Sequence, residues 1–449
     1  MSSADPRRVV FVQSSSLPWV TGGMEIYAHS LAVELRECGW RPTLVVHHSE
    51  WARTVPGVHD VEGVEIVVLP ALAPSGRLPS WGCRAAGVAG FQELLADLRP
   101  GLVHLHDFSA AAGLGHLDLA AQAGARTMLT YHSPGQTCAQ RELLEGGERP
   151  CDGENLLARC TRCRIAASRP GKVGRWLGRL AATPLPVPER WADAPSPLAR
   201  LATARLATRA FHDAVRSLRA RVDLVHVYAD WARALFLRNG FSPEQLVLVR
   251  TGLPRSIDRP VPRAATPSAG PLRLVAMGRC DRTKGFDVLC RAMQSLPADV
   301  QVSLDLIGPY FDREAEPART IRAIAGAEPR VRLRGPLPHA ELVQRLPDYD
   351  ACVVPSRWLE TGPLVVLEAF GAGLPVLGSD LGGIAELVRP GVDGLLVPSD
   401  SPRALAASIE RLGREPGLLD RLRAGVRPPR TMHDVAAELA AVYEDLLSR

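Results

Sequence analysis

The segment SRWLETGPLVVLEAFGAGLPVLGS, residues 356–379, decides the expected fold of this chain. It follows the apolar run ACVVP, so its first residues are expected in a loop where a β-strand ends. LVVLEAFGAG is typical of the first turns of a helix, and LPVLGS is typical of the next strand. A strand–loop–helix–strand unit of this kind predicts a parallel α/β sheet, in which ligands bind beyond the carboxyl ends of the strands.

Short apolar runs alternate with helical patterns in both directions from this segment. The candidate strands are residues 8–13, 43–48, 64–69, 102–106, 127–131, 223–228, 272–278, 302–308, 331–335, 351–355, 374–379 and 394–398. We therefore predict two doubly wound, Rossmann-like α/β domains, residues 1–253 and 272–430. A linker rich in Pro, Ala and Ser is expected at 254–271, and a last amphipathic helix at 431–449.

Length and composition agree with a two-domain globular protein, since 449 residues is well above the usual size of one domain. No apolar run approaches the length needed to cross a bilayer, and the first apolar run is short for a signal peptide. We therefore expect a cytoplasmic protein with reduced cysteines. The chain uses arginine almost everywhere and has only two lysines, Lys172 and Lys284.

Two glutamates in the opening segment are candidate ligand-binding residues. Glu360 would lie in the loop, and Glu368 would lie inside the helix, where a carboxylate can bind vicinal hydroxyls. Gly362 allows a close approach of a ligand, and the first N–H groups of the helix favour an anion such as a phosphate. The alternative interpretation is a solvated loop carboxylate and a surface residue of the helix.

A second candidate is the segment MGRCDRTKGFDVL, residues 277–289, which begins where a predicted strand ends. Arg279 and Lys284 bracket a turn there, and two cations at a strand end suit a diphosphate. The rarity of lysine supports a specific role for Lys284. A basic surface turn is the simpler alternative, but it does not explain why both cations flank a strand-to-helix crossover.

The first domain offers two weaker signals at predicted strand ends. Gly22 and Gly23, in SSSLPWVTGGMEIY, would expose backbone N–H groups at the start of a helix, although no dinucleotide-binding G-x-G-x-x-G is present. His106, Asp107 and His132 follow two other strands. A lone histidine is more often structural than catalytic, but two at separate strand ends favour a functional role.

Four cysteines cluster between residues 138 and 163, namely Cys138, Cys151, Cys160 and Cys163. Their spacing is C-x12-C-x8-C-x2-C, and four thiolates can close a tetrahedral structural zinc site, which we favour over four unrelated thiols.

A basic excursion at 164–222 follows the cysteines. Residues 159–221 carry fourteen Lys and Arg against three Asp and Glu. A solvated helical face is the simpler interpretation of this segment. An anionic membrane surface or a phosphorylated acceptor is the functional alternative, kept open by Trp176 and Trp191.

Taken together, TGG after the first strand, GR…K after the first strand of the second domain, and E-x7-E followed by AFGAGLPV resemble the retaining glycosyltransferases of family 4. The resemblance covers nearly the whole chain. It implies the GT-B fold, with two Rossmann-like domains facing across a cleft and a C-terminal helix that crosses back to the N-terminal domain. It also implies transfer of a hexosyl or N-acetylhexosaminyl group from a UDP- or GDP-linked sugar to the hydroxyl of a small-molecule, glycan or lipid-linked acceptor, without a catalytic metal.

The resemblance also implies roles for individual residues. Arg279 and Lys284 would neutralise the diphosphate, Glu368 would hold the ribose, and Glu360 would lie beside the transferred sugar. His132 would contact that sugar near its reacting carbon, with His106 and Asp107 on the acceptor side. The remaining donor-binding residues would be Gly22, Gly23, Leu337, Thr361, Gly362, Leu364 and Val365. Pro363 departs from the usual family pattern and cannot donate an N–H.

Two other functions fit parts of the sequence. A zinc-stabilised nucleic-acid-binding protein would use the arginine excess and the cysteines, and its affinity would fall steeply with salt. It leaves the second-domain motifs unexplained. A catalytically silent binder of nucleotide sugars would not need Glu360, Arg279 and Lys284 together. We therefore expect a glycosyltransferase with no nucleic-acid partner, located in the cytoplasm and peripherally at the inner membrane face if the basic excursion binds lipid.

Overall fold

The chain forms two compact units, residues 1–250 with 432–449 (unit 1) and residues 251–431 (unit 2). The computed structural model describes residues 5–85, 87–169, 171–254 and 270–449. Most of the predicted linker 254–271 therefore lies outside the described residues. Within the described ranges, no helix is both long enough and apolar enough to cross a bilayer.

Unit 1 is built on a sheet in the strand order β10-β9-β6-β5-β1-β2-β4-β3, parallel except for the antiparallel edge pair β3–β4. Its strands, with a separate hairpin β7–β8, are β1 Asp5–Val12, β2 Arg41–His47, β3 Gly57–Val61, β4 Val64–Leu69, β5 Pro100–Leu105, β6 Arg126–Thr130, β7 Leu144–Glu145, β8 Arg149–Pro150, β9 Leu224–Val227 and β10 Leu246–Leu248. Residues 9–12 of β1 are completely buried, as expected for a central strand covered on both faces.

Helices connect these strands. They are α1 Gly23–Glu37, α2 Arg77–Trp81, α3 Phe91–Leu98, α4 Leu114–Gln122, α5 Leu157–Ser168, α6 Lys172–Ala182, α7 Pro197–Ala202, α8 Ala204–Arg219 and α9 Asp230–Arg238. The apolar side chains Phe211, Val215 and Leu218 of α8 are buried. This part of the basic excursion therefore packs against the rest of unit 1 through one face of α8.

Unit 2 is a parallel sheet in the order β13-β12-β11-β14-β15-β16. Its strands are β11 Leu272–Met277, β12 Val302–Ile307, β13 Val331–Arg334, β14 Ala351–Val354, β15 Val376–Ser379 and β16 Gly394–Val397. Its helices are α10 Phe286–Ser295, α11 Ala318–Ala327, α12 His339–Arg345, α13 Leu364–Gly371, α14 Gly382–Leu387, α15 Pro402–Arg414 and α16 Leu418–Gly425. Every strand predicted for this half of the chain is present within one or two residues.

The last helix, α17 Met432–Ser448, belongs to unit 1. The chain enters and leaves unit 2 at neighbouring points, because the N–H of Leu253 donates to the carbonyl of Arg430 at 2.9 Å. Val435, Leu439 and Tyr443 of α17 are completely buried in the main core of unit 1. Their spacing of four residues places them on one face of the helix, as the sequence predicted.

A buried chain of hydrogen bonds anchors α17 to the sheet. Tyr443 Oη lies 2.7 Å from His104 Nδ1, His104 Nε2 lies 2.7 Å from Thr130 Oγ1, and Thr130 Oγ1 lies 3.0 Å from His226 Nδ1. His226 Nε2 donates to the carbonyl of Val249 at 2.9 Å. When the rings are neutral, the Nε2 proton of His226 leaves its Nδ1 as an acceptor, so the direction of each hydrogen bond along the chain follows. Thr130 donates to His226, His104 donates to Thr130, and Tyr443 donates to His104.

Three parts of unit 1 were absent from the sequence prediction. β3 is an exposed edge strand, β10 has three residues, and β7 and β8 have two each. Such short elements bury too little apolar surface to leave a periodic pattern in the sequence.

Candidate functional site

The topology of unit 2 places a crevice between β11 and β14. These strands pair with each other, and the chain continues to opposite edges of the sheet on either side of them. This is the switch point at which doubly wound sheets bind ligands. The loop after β11 contains Arg279 and Lys284, and the loop after β14 contains Glu360. The two strongest sequence motifs therefore meet at the position that the fold itself singles out.

Lys284 and Glu360 form an ion pair in this crevice. Lys284 Nζ lies 2.8 Å from Glu360 Oε1, and their side chains are 22% and 9% exposed. Ser356 Oγ donates to the same carboxylate oxygen at 2.8 Å. Burial raises the pKa of Glu360, but the charge and hydrogen bond of Lys284, with hydrogen bonds from Trp358 and Ser356, together outweigh burial and lower the pKa below its usual value. Glu360 is therefore ionised at neutral pH.

Further contacts hold the two loops together. Arg357 donates to both carboxylate oxygens of Asp287, at 2.8 and 2.9 Å, in a bidentate ion pair. The N–H of Arg357 donates to the carbonyl of Thr283 at 2.7 Å. Gly285 has a φ of +68°, and a Cβ there would lie 2.0 Å from the carbonyl oxygen of Pro355. Only glycine permits this approach, which holds Lys284 against the end of β14.

Helix α13 begins directly after this loop, with Pro363 at its N-cap. The N–H groups of Leu364 and Val365 lie in its first turn, where no intrahelical acceptor exists. Thr361 and Gly362 lie in the preceding loop and are half-buried. The N–H of Gly383, in the first turn of α14, donates to the carbonyl of Glu360 at 2.7 Å, which ties the loop to the start of α14.

Glu368 is nearly buried within α13, and its Oε1 lies 2.7 Å from His339 Nε2. The hydrogen bond and charge of Glu368 raise the pKa of His339 in spite of its partial burial. His339 opens α12, two residues after Leu337, which is half-buried against an apolar cluster of unit 2. Arg279 is mostly exposed, with its Nε 3.3 Å from Asp281 Oδ2.

The switch point of unit 1 lies between β1 and β5. Helix α1 begins there at Gly23, with Gly22 as its N-cap in an extended conformation. A Cβ at Gly22 would lie 2.5 Å from Glu25 Oε2, and the other oxygen of that carboxylate accepts a short hydrogen bond from Ser15. The glycine pair is therefore at a helix N-terminus, as predicted, with a buried acidic side chain in the first turn.

His132 follows β6, and its ring is held by other side chains of unit 1. His106 Nδ1 lies 3.0 Å from His132 Nε2, and Tyr228 Oη lies 3.1 Å from His132 Nδ1. The N–H of His132 donates to Gln136 Oε1 at 2.9 Å. Burial and the neighbouring His106 and His226 rings lower its pKa well below the usual value, so the imidazole is neutral at pH 7.

His106 and Asp107 lie beside each other but in different surroundings. His106 is completely buried, and a buried ring cannot touch an acceptor, so any role on the acceptor side passes through His132. Asp107 is half-buried, and its Oδ1 accepts the N–H of Phe108 at 2.8 Å.

The four clustered cysteines are free thiols in and around the β7–β8 hairpin and α5. Burial, with smaller contributions from nearby Cys138 and Cys151, raises the pKa of Cys160 to about 12 and that of Cys163 to about 11. No three of these sulfur atoms lie within 4.8 Å of one another. Among the described residues, the one group with such spacing is Glu34, Glu37 and His433, which joins α1 to α17 and in which Glu34 is buried and the other two are exposed.

Two family models match the chain, one in each half. "Glycosyl transferases group 1" matches residues 271–415, and "Glycosyltransferase Family 4" matches residues 21–170. The chain belongs to glycosyltransferase family 4. The matched ranges include the Gly22–Gly23 and Lys284–Glu360 segments of this family member.

Curated relatives are similar over part of their length. A D-inositol 3-phosphate glycosyltransferase of Catenulispora acidiphila is 34% identical over 215 residues, or 45% of this chain and 51% of the relative. The protein of the same name from Thermobispora bispora is 35% identical over 46% of this chain and 52% of its own. The chain thus spans about half the length of these curated relatives.

Solved structures resemble the family member over nearly its whole length. Sucrose-phosphate synthase of Thermosynechococcus elongatus has a TM-score of 0.65 and 21% identity, covering 98% of this chain and 99% of its own. HepE of Anabaena, in complex with UDP and glucose, has a TM-score of 0.63 and 15% identity, with 98% and 100% covered. The likeness confirms the predicted α/β fold with two Rossmann-like domains, the GT-B fold. These findings do not favour the nucleic-acid-binding alternative or the silent binder.

Sequence reasoning missed several partners of the predicted residues. His339 lies two residues after Leu337, a donor-binding residue implied by the resemblance, and Ser356 opens the segment quoted first. Gly383 belongs to a glycine pair before a short helix, the same signal that drew attention to Gly22. Gln136 and Tyr228 left no signal, because only tertiary packing brings them to His132.

Proposed function

We propose that this chain is a retaining glycosyltransferase that transfers a hexosyl or N-acetylhexosaminyl group from a UDP- or GDP-sugar to an acceptor hydroxyl, without a catalytic metal. The observation that carries the proposal is the contact of 2.8 Å between Lys284 Nζ and Glu360 Oε1 at the switch point of unit 2. Glycosyl transfer develops positive charge on the sugar and negative charge on the departing phosphate. A buried, ionised carboxylate can stabilise the first, and an ammonium with a helix N-terminus can stabilise the second.

In the proposed reaction, the bond between the anomeric carbon and the diphosphate oxygen breaks, and its electron pair stays on that oxygen. The acceptor oxygen forms the new bond on the same face of the sugar, and its proton passes to the departing phosphate. Lys284, Arg279 and the first-turn N–H groups of α13 stabilise the phosphate charge. Glu360 stabilises the positive sugar and orients Lys284.

Glu368 is the proposed ribose-binding residue, with Leu337 beside the base. One carboxylate oxygen is bonded to His339, so a ribose hydroxyl would donate to the other or displace His339. His339 is therefore a positioning residue for Glu368. Ribose binding by Glu368 predicts that Glu368→Gln weakens nucleotide binding more than it slows turnover of bound donor.

The roles of Gly22, Gly23 and His132 stay predictions for unit 1. The amides that begin α1 suit a phosphate oxygen. Both ring nitrogens of His132 are engaged, Nε2 with His106 and Nδ1 with Tyr228, so a hydrogen bond from the neutral imidazole to a sugar hydroxyl requires the sugar to displace one of these two partners. Asp107 stays the predicted acceptor-side carboxylate.

The donor and acceptor remain to be chosen by experiment. The relatives named D-inositol 3-phosphate glycosyltransferase and the UDP-bound HepE support a nucleotide-sugar donor, and UDP-glucose is the first candidate. The proposed acceptor is a small molecule, a glycan or a lipid-linked sugar. Nine free thiols among the described residues suit the reducing cytoplasm that we propose as its location.

A donor panel tests the proposal. The purified chain is incubated with UDP- and GDP-linked sugars and a mixture of acceptors, and released nucleoside diphosphate is measured. We expect release from one donor class, persisting in chelator, with the anomeric configuration of the product retained by NMR. An inverted product or strict dependence on a divalent metal would contradict the retaining, metal-free mechanism.

We also propose that Cys138, Cys151, Cys160 and Cys163 hold one structural zinc ion. Two of the sulfurs already accept backbone hydrogen bonds, from Gly153 to Cys151 and from Gly146 to Cys163. Such N–H donors stabilise thiolates, and a bound cation would offset the burial that chiefly raises the pKa of these thiols, together with the smaller repulsion between them. Zinc–sulfur bonds of about 2.3 Å require the four sulfurs to draw closer than they are here.

A further inference from the structure

Large apolar side chains are exposed in an unusual concentration within the basic excursion. Helix α6 alone exposes Val173, Trp176 and Leu180, which are 67%, 62% and 47% exposed. The segment after it, residues 183–198, exposes three more: Leu185, Trp191 and Leu198. Elsewhere in the described chain such side chains are exposed singly or near β3. A contiguous exposed apolar patch usually marks a surface that binds something.

The three exposed side chains of α6 lie on one face. At about 100° per residue, Val173, Trp176 and Leu180 fall within an arc of about 60°. The opposite side of the helix carries the small residues Gly174, Gly178 and Ala181, which are buried. Helix α6 therefore turns its smallest side chains inward and its largest apolar ones outward, the reverse of an ordinary packed helix.

Close packing against α5 fixes this orientation. A Cβ at Gly178 would lie 2.9 Å from the carbonyl oxygen of Arg162 in α5, and a Cβ at Gly174 would lie 1.5 Å from that of Arg169. No larger side chain fits on the inner face, so α6 cannot rotate to bury Trp176. The exposure of the apolar face is thus a consequence of the glycines.

Basic side chains border the apolar face. Lys172, Arg175 and Arg179 form an adjacent exposed stripe on α6. Arg169, Arg190 and Arg200 are exposed nearby in sequence, against two acidic residues, Glu189 and Asp193, between residues 164 and 200. Asp193 accepts the N–H of Arg77.

We propose that the outer face of α6, formed by Val173, Trp176 and Leu180 with Lys172, Arg175 and Arg179, docks on the surface of an anionic lipid bilayer. The apolar side chains, tryptophan included, enter the interface between headgroups and acyl chains, and the lysine and arginine side chains bind the anionic headgroups. A nucleic acid would contact the lysine and arginine side chains but would leave the aliphatic side chains without a partner. The inference goes beyond the proposed function, since it holds whichever sugar is transferred.

Vesicle co-sedimentation of the full chain tests the proposal. We expect binding to equimolar phosphatidylcholine–phosphatidylglycerol vesicles, weakened by salt, and at least tenfold weaker binding to phosphatidylcholine alone. The variant Val173→Ser/Trp176→Ser/Leu180→Ser should lose at least tenfold in affinity, and so should Lys172→Ser/Arg175→Ser/Arg179→Ser. Equal binding to both kinds of vesicle, or no binding, would overturn the proposal.

The chain offers a matched control in Trp51→Ser/Val55→Ser/Val58→Ser. This variant also removes one tryptophan and two aliphatic side chains from the surface of unit 1, 79%, 56% and 68% exposed. It should bind anionic vesicles like the unmodified chain, and an equal loss in both triple variants would overturn the assignment to α6. Loss of a dimer in size-exclusion chromatography, seen only with the α6 apolar variant, would overturn it in favour of a second copy of the chain.

Quenching by brominated lipids gives a measurement that does not depend on folding of a triple variant. Insertion of Trp176 predicts quenching of tryptophan fluorescence on anionic vesicles, most of it lost in Trp176→Phe and kept in Trp51→Phe. Quenching that survives Trp176→Phe unchanged would overturn the docking geometry.

Discussion

Single residues decide the electrostatics of the candidate active site. Lys284 is one of two lysines in the chain, and its ammonium lies against Glu360 at the switch point between β11 and β14. A compact point charge with three donors can hold a carboxylate and still meet a phosphate oxygen. Arginine, the usual base of this chain, has a planar fork that suits a bidentate carboxylate, as in the Arg357–Asp287 pair.

At the residue scale, Lys284→Ala should reduce kcat by about 10²- to 10³-fold, the usual cost of one preorganised donor in a transition state. Turnover is measured as nucleoside diphosphate release, and folding by circular dichroism. Arg282→Ala, two residues away in the same turn and exposed, is the matched control and should keep normal turnover. Near-normal turnover of Lys284→Ala would remove Lys284 from the mechanism.

The His339–Glu368 pair makes a pH-dependent prediction. Because Glu368 raises the pKa of His339 in the folded protein, the pair stabilises unit 2 fully below the unfolded value near 6.5. This contribution is lost as the pH rises through the folded pKa. NMR titration should show His339 titrating above 6.5 in the unmodified chain and lower in Glu368→Gln. An unchanged His339 pKa in that variant would contradict the pairing.

At the scale of elements, the site depends on how closely two loops approach. The loop after β11 reaches the end of β14 only because Gly285 lacks a side chain and adopts a left-handed conformation. The same approach brings Lys284 to Glu360 and Asp287 to Arg357. The loop geometry and the ion pairs therefore stabilise each other.

Gly285→Ala should destabilise unit 2 by about 2–4 kcal/mol, because it adds backbone strain to a steric clash. It should also lower turnover through Lys284. Gly326→Ala is the control: it lies in α11, where a Cβ meets nothing within 4 Å, and should be neutral or slightly stabilising. Hydrogen exchange of β11 and β14 measures the stability of unit 2 in both variants. Equal protection in the two variants would disprove this account of Gly285.

The cysteine segment makes a prediction about metal content. The purified chain should contain about one zinc per molecule, as one four-thiolate site requires. Cys160→Ser should lose the zinc, and Cys352→Ser, a buried cysteine of unit 2, should retain it. Elemental analysis by mass spectrometry measures both. A folded chain without metal would refute the zinc site.

At the scale of the whole molecule, unit 2 interrupts unit 1 in sequence. The last helix completes the core of unit 1, and Tyr443 closes a buried chain of hydrogen bonds that runs through His104. Unit 1 therefore cannot finish folding until the final residues of the chain are available.

Tyr443→Phe should lower the stability of unit 1 by about 1–3 kcal/mol, because His104 Nδ1 is left buried without its donor. Tyr310→Phe, at an exposed position of unit 2, should be nearly neutral. Hydrogen exchange should show weaker protection of β1 and β5 and unchanged protection of β11. A chain that ends at residue 431 should lose protection throughout unit 1, and full protection there would contradict the assignment of α17.

The apolar runs of buried parallel strands were sufficient to predict both main sheets, and the glycines and charges of the strand-end loops were sufficient to predict the order of the motifs and the family. The same patterns predicted Lys284 and Glu360 in loops at strand ends and Glu368 inside the helix that follows. The partners of these residues depend on tertiary packing, which brings His339 to Glu368, Lys284 to Glu360 and Arg357 to Asp287. Tertiary packing likewise buried His106 behind His132 and exposed the apolar face of α6, because glycines at a close helix contact, rather than hydrophobic periodicity, set which side of that helix faces water.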